Sequence, residues 1–209
     1  GGTGTHLADK ASVTDLTSAN NGTANLYAQW TAKSVTLPTP TAPTGYAFAG
    51  WYTAAEGGTK VGDAGADYAT LSNITLYAQW TPYNYSVSFN GNGSTSGSMS
   101  DQPFKYGTAQ TLTPNAYSRS VTVKYDANDG TAGAASGSSV SEFDKWTTEQ
   151  NGSGTSYSDK QSVSNLTANK DGKVTLYAQW KPFAAVTLPA AARKDAIFYG
   201  WYSDPNFAD

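Results

Sequence analysis

Acid–base or metal chemistry in this chain would have to start from His6, the only histidine, and from carboxylates scattered along 209 residues. One imidazole cannot build a His-based zinc cluster. In an ungapped alignment of the chain's start with residues 151–180, Ser156 takes the place of His6, so the scaffold does not hold an imidazole for a Ser-His-Asp relay either. Glycoside hydrolysis needs two acids facing one cleft. Asp63, Asp67, Glu142, Asp144 and Glu149 fall instead in turns or on polar strand faces, with no sign of convergence. Without cysteine there is no thiolate ligand, thiol nucleophile or disulfide framework. The stretch Asp126-Ala127-Asn128-Asp129-Gly130 approaches a calcium loop, but its Gly comes one residue early for the D-x-[DN]-x-[DN]-G pattern. The parallel stretch Asn90-Gly91-Asn92-Gly93 carries no carboxylate, and a type I′ or bulged hairpin accounts for both. These residues imply no enzyme, no metal and no cofactor.

Two other residue types recur in readable patterns. Asn-x-Ser/Thr sequons stand at Asn21, Asn73, Asn84, Asn92, Asn151 and Asn165. Asn21, Asn92 and Asn151, in Gly-rich turns, are the candidates for glycosylation. All six Trp occupy repeated positions: Trp30, Trp80 and Trp180 each end a pentapeptide, while Trp51, Trp146 and Trp201 each follow a Phe-x-x. Exposed rings could stack on sugars, yet large rings dominate burial energetics, and a ring renewed in each repeat is more economically a core anchor. The expected anchors are Leu26, Trp30, Phe48, Trp51, Leu76, Trp80, Phe143, Trp146, Leu176, Trp180, Phe198 and Trp201. Tyr83, Tyr117 and Tyr157 are the rings left for a surface.

Strands must hold these anchors. Leu26-Tyr27-Ala28-Gln29-Trp30 returns unchanged as residues 76–80 and 176–180, at intervals of 50 and 100 residues. Its alternation puts Leu, Ala and Trp on one face and Tyr and Gln on the other, the period of a half-buried strand. Recurrence at fixed intervals marks a tandem architecture. No window sustains helical apolar spacing, so any helix must be short.

The repeat phases the chain. Residues 1–30 align without a gap onto 151–180 with about half the positions identical, so they read as the second half of a module. Residues 31–80 form a short complete unit: a strand around Val35, stopped by Pro38, Pro40 and Pro43, then residues 48–52 with a bulge at Gly50, then the closing strand. Residues 81–180 form a long compound unit that reads as two first halves in series, 81–120 and 121–180. In that reading Val121-Thr122-Val123-Lys124-Tyr125 repeats the opening strand Tyr85-Ser86-Val87-Ser88-Phe89. Residues 94–100 and 131–139 are expected to be flexible loop tips. Residues 181–209 read as the first half of a further repeat, and the absence of an initial Met suggests a processed or internal fragment.

The Phe-x-Gly-Trp-Tyr segments at 48–52 and 198–202, together with the three pentapeptides, resemble the Listeria–Bacteroides repeat of bacterial cell-surface proteins, related to internalin B-repeats. The resemblance implies small β-grasp-like modules strung along large secreted proteins, without a catalytic role. One departure is Lys145, which stands where that pattern has Gly.

The fold expected is therefore mainly β, in small β-grasp-like modules set in an elongated array with little helix. Units of about 50 residues are marginal alone and gain by packing end to end. A net charge of −3 with no basic cluster argues against nucleic acid, and no apolar run reaches the ~20 residues of a membrane span. The expected role is a non-enzymatic structural segment of an extracellular stalk, fibre or filament at the cell surface. Its partners are adjacent repeats or copies of itself, head to tail, which complete the half-modules. The competing role is an adhesin module that recognises a cell-surface glycan or protein.

Overall fold

Short alternating runs of Val, Thr, Ser and aromatic residues favour pleated backbone, and the regular elements are strands. The computed structural model describes residues 6–14, 16 and 20–204, and among these no helix forms. The fold is mainly β.

In chain order, the first unit contains Ser34–Thr36 (β1), Tyr46–Tyr52 (β2), Lys60–Gly62 (β3), Asp67–Ala69 (β4) and Tyr77–Pro82 (β5). β3, β2 and β5 make a three-stranded antiparallel sheet, and β1 pairs with β4. Pro38 ends β1 by removing a ladder donor. Just before it, buried Leu37 donates its N–H to Ala66 O at 2.8 Å. The β2–β5 register slips between Phe48 and Gly50. Gly50 sits there at φ 138°, where an added Cβ would meet the Lys60 side chain and the Gly62 carbonyl.

The second unit opens with Asn84–Asn90 (β6), Gln102–Lys105 (β7) and Gln110–Thr111 (β8). A hairpin then intervenes: Arg119–Lys124 (β9), Thr131–Ala132 (β10) and Ser136–Ser141 (β11). The unit resumes with Phe143–Thr147 (β12), Ser156–Tyr157 (β13), Ser162–Val163 (β14) and Gly172–Trp180 (β15). Five of these form one mixed sheet in the order β13-β12-β15-β6-β7. Its central pair, β15 and β6, is parallel, with Leu176 opposite Phe89. β6 alternates as its sequence demands, with Tyr85, Val87 and Phe89 buried and Ser86 and Ser88 half-buried. The core lies on that face, where Val87, Leu112, Trp146, Leu176 and Ala178 meet. The β12 bulge falls between Phe143 and Lys145, and Lys145 holds it without a positive φ.

The hairpin departs from expectation. Residues 131–139, expected as a loop tip, instead supply β10 and most of β11, and β11 pairs with β9 along its whole length. The Ser-Gly-Ser composition hides a strand because its hydroxyls bond outward. Ser139 Oγ donates to Ala184 O, and Ser141 Oγ donates to Lys181 O. The chain after β15 thus runs along β11, and Ala191–Ala192 (β16) pairs with β10. Two stretches 40 residues or more apart join into one composite unit, residues 119–141 with 181–204.

Leu26 and Trp30 correct the expected anchor list. Residues 22–33 form no strand, and Leu26 and Trp30 are 63% and 78% exposed. The pentapeptide pattern alone does not bury them, because a strand is buried only by the neighbours it pairs with.

Candidate functional site

The repeated Phe and Trp residues make one local contact three times, twice beside a pentapeptide strand. In the first unit Phe48 stands opposite Trp80 and Trp51 opposite Ala78. In the second, Phe143 stands opposite Trp180 and Trp146 opposite Ala178, the same register with the same slip. Phe48 meets Trp51 and Trp80 edge-on at 5.6 and 5.5 Å. Phe143 meets Trp146 at 5.0 Å and Trp180 edge-on at 6.0 Å. In the composite unit Phe198 meets Trp201 at 5.5 Å, again edge-on. The indole N–H of Trp51 donates to Pro38 O and that of Trp201 to Pro189 O, at 2.9 and 3.0 Å. Trp146 carries Thr113 in place of that proline, and its buried N–H has no hydrogen-bond partner.

Burial separates the copies. Trp146 is 0% exposed and Leu176 and Ala178 are buried, whereas Trp51, Leu76, Ala78 and Trp80 are half-buried. Trp180 is half-buried at the sheet's end, Trp201 is half-buried, and Phe198 is 47% exposed.

The Asn-rich turns are also built alike. After β6, Asn92 N donates to Asn90 Oδ1 at 2.8 Å, and Ser94 N donates to Gly91 O at 3.0 Å. After β9, Asn128 N donates to Asp126 Oδ1 and Gly130 N to Ala127 O, both at 3.0 Å. Asn92 and Asn128 have φ of 44° and 52°, a region Asn tolerates well. The Asp126 carboxylate therefore does the work of an Asn in capping a turn. Among the described residues no group of three or more His, Asp or Glu side chains converges.

Asn92 does more than turn the chain. Its Nδ2 donates to Ala178 O at 2.9 Å and to Gln150 O at 3.0 Å, clamping β15 from 86 residues away. The amide nitrogen that glycosylation would modify is thus already committed, which corrects the candidacy of Asn92. Asn151 accepts from Ser153 N and Oγ in an exposed turn, and Asn21 sits exposed at φ 57°. Gly91 O accepts the Trp180 indole N–H at 3.0 Å. Tyr117 and Tyr157 pack half-buried against the core, and Tyr83 is half-buried too. The Tyr117 hydroxyl donates to Phe89 O at 2.8 Å, and burial pushes the Tyr157 hydroxyl pKa up. None of the three rings left over for a surface is freely exposed.

An open cleft of about 670 Å³ lies in the composite unit. Lys124, Asp126, Ala127 and Asn128 line one wall, and residues 196–204 line the other. Tyr125 meets Trp201 at 5.4 Å with the rings tilted, as Phe89 meets Trp146 at 5.0 Å. The Tyr125–Phe89 correspondence is readable in sequence. What could not be read is that β9 and the Tyr125 after it, besides pairing with β11, would serve residues 181–204.

Residues 14–79 match the sequence model of the Listeria-Bacteroides repeat domain, a stretch that takes in the first pentapeptide and all but Trp80 of the second. The chain is 50% identical over 56 residues to internalin H of Listeria monocytogenes, covering 26% of this chain and 10% of that protein. It is 33% identical over 147 residues to a protein of Evansella cellulosilytica that bears the name of a membrane protein, covering 70% of this chain and 19% of that one. A Gly-rich membrane protein by name, from the same organism, is 29% identical over 192 residues, covering 77% of this chain and 19% of its own length. The chain spans a fifth or less of the length of these relatives. No solved structure matches it.

Proposed function

For a chain that carries a Listeria–Bacteroides repeat over residues 14–79, we propose the role of a non-enzymatic structural segment in an extracellular stalk or fibre on the cell envelope. One observation carries this reading: the Phe-x-x-Trp spacing brings its two rings into contact in all three copies, at 5.6, 5.0 and 5.5 Å. The names of the relatives, internalin H and two membrane proteins, support placement at the envelope. β-Grasp-like modules in an elongated series, each leaning on the next, would hold something at a distance from the cell. The parallel β6–β15 pair at the centre of a mixed sheet supports the grasp-type description.

Labelling of intact source cells with a membrane-impermeant amine reagent tests the placement. Exposed lysines such as Lys60 and Lys173 are expected to be modified without lysis, and modification only after lysis would overturn the reading. Pulling the folded segment end to end should give discrete unfolding steps with rigid behaviour between them. The adhesin alternative rests on Tyr199 and Tyr202, whose rings stack at 6.4 Å and 6° on the surface. Specific retention on a glycan array, lost on Tyr199→Ala, would favour it over the structural role.

A further inference from the structure

The first and second units meet at a single linking residue flanked by two glycines. β5 ends at Pro82 and β6 begins at Asn84, so only Tyr83 lies between them. Its N–H donates to Gly45 O at 2.8 Å, just ahead of β2 in the first unit. Its carbonyl accepts the Tyr106 N–H at 2.9 Å, just after β7 in the second. Both backbone groups of the link are therefore committed, one to each unit. Beside it the rings of Tyr46 and Tyr106 meet edge-on at 5.6 Å. Each ring also covers the glycine next to the other. A Cβ on Gly45 would stand 2.4 Å from the Tyr106 ring, and one on Gly107 would stand 2.5 Å from the Tyr46 hydroxyl. Gly45 is buried, and the two glycines hold φ of 81° and 77°, a region open to Gly without steric cost.

We infer that Gly45-Tyr46 and Tyr106-Gly107 form a clasp that locks the first unit onto the second in one orientation. The face made by Tyr83, Tyr106 and Gly107 is then an interaction surface fitted to a unit that carries Gly-Tyr at the head of its β2 strand. The inference deepens the structural reading above and rests on it, since it assigns the stiffness between two units to a named contact. A one-residue linker by itself would still swivel about its backbone dihedrals. Turning the units here would break two main-chain hydrogen bonds and part a ring pair. The missing Cβ atoms are what let the rings approach so closely.

The surface is selective among the units of this chain. Three and two residues before the Phe of each Phe-x-x-Trp, the first unit has Gly45-Tyr46, the second Val140-Ser141 and the composite unit Asp195-Ala196. Neither of the latter pairs supplies a ring, and a side chain at the first position is what the Tyr106 ring excludes. The joint after β15 is accordingly made otherwise. Ala184 N donates to Val140 O at 3.3 Å, Ser141 Oγ donates to Lys181 O, and Arg119 lies 5.0 Å over the Phe183 ring. The two joints thus use different chemistries, an aromatic clasp and a hydroxyl-to-carbonyl brace.

Pulsed dipolar spectroscopy on the full 209-residue chain tests the clasp. The chain has no cysteine of its own, so spin labels on Glu56→Cys and Glu149→Cys, exposed positions in the two units, report one distance across the joint. A single narrow distribution is expected. Tyr106→Ala should broaden it, and Gly45→Ala should do the same by pushing that ring away. Tyr106→Phe keeps the ring and should leave the distribution narrow. Exchange of the Tyr83 amide should quicken about two- to tenfold in Tyr106→Ala, the factor an edge-on ring pair is worth. Protection of the β2 and β6 amides is the control that both units remain folded. A distribution already broad with the clasp intact, or one still narrow in Tyr106→Ala with both units folded, would overturn the inference. Neither result bears on the labelling of intact cells, so failure here leaves the structural role to its own test.

Discussion

The second unit and the composite unit both carry a Phe-x-x-Trp, and among the described residues only the second unit packs it under a central strand. With β15 in place, Trp146 is 0% exposed and Leu176 is buried beneath the sheet. In the composite unit, Phe198 is 47% exposed and Trp201 half-buried. Yet the Phe–Trp contact hardly changes, at 5.0 Å in one and 5.5 Å in the other. The knot is therefore a local product of three-residue spacing and, where a proline carbonyl is offered, of one indole hydrogen bond. Burial comes from the central strand. The first unit shows the complementary case. It keeps β5 but has no counterpart of β6 among the described residues, and Leu76 and Ala78 stay half-buried while Leu71 and Ile74 are exposed. Each strand adds one identifiable layer of burial.

If that comparison holds, truncating the knot should cost most where the central strand covers it. Trp146→Ala is expected to lose about 3–5 kcal/mol, the range for a large aromatic removed from a filled core. Trp51→Ala should lose less, and Trp201→Ala least. Urea unfolding of each variant checks the ranking, and equal losses would break the comparison. The residues after each Val/Gln-Thr sharpen it. Leu112 and Leu37 are buried while Leu188 is 54% exposed. Alanine should cost about 2–5 kcal/mol at the first two and within about 0.5 kcal/mol at the third. Next in size is Asn92→Ala, which strands two carbonyls. A loss of about 1–3 kcal/mol is expected.

Much of this was legible in sequence because it is local. The alternation of Tyr85, Val87 and Phe89 announces β6, and the pentapeptide announces β5 and β15 before any pairing is known. Trp146 and Leu176 could be assigned to a core from bulk and recurrence. The same logic misplaced Leu26 and Trp30, since recurrence specifies a strand but not the presence of its neighbours. β11 was illegible for the opposite reason. Ser-Gly-Ser-Ser has no apolar alternation, and its strand state depends on β9 and on the carbonyls of Lys181 and Ala184. The Asn92 clamp joins residues 86 apart, which no local window can contain.

The smallest effect concerns the joint between the two units. Glu142 lies between β11 and β12, and Lys181 directly follows β15. Lys181 Nζ donates to the Glu142 carboxylate at 2.9 Å, and Lys181 N donates to Glu142 O at the same distance. The side-chain hydrogen bond, helped by the opposite charge, lowers the Glu142 pKa below its ordinary 4.5 and raises that of Lys181 above 10.5. A lowered carboxylate pKa gives stabilisation that is fully present above pH 4.5 and fades as pH falls through the depressed value. A raised lysine pKa gives stabilisation present below 10.5 and lost as pH climbs past the elevated one. Both side chains are solvent-exposed, so the pair is screened and its contribution is small. The Lys173–Asp101 pair at 2.7 Å behaves alike, with Asp101 lowered mainly by its hydrogen bond from Lys173. It is anchored at the sheet, however, and not at the joint. Acidification below pH 4.5 should therefore loosen the composite unit before the five-stranded core. Hydrogen exchange is expected to rise first in β11 and residues 181–184, and Glu142→Gln should flatten that pH response while leaving β6 protected. Loss of protection in β6 and β11 at one pH would mean that the joint does not separate the units.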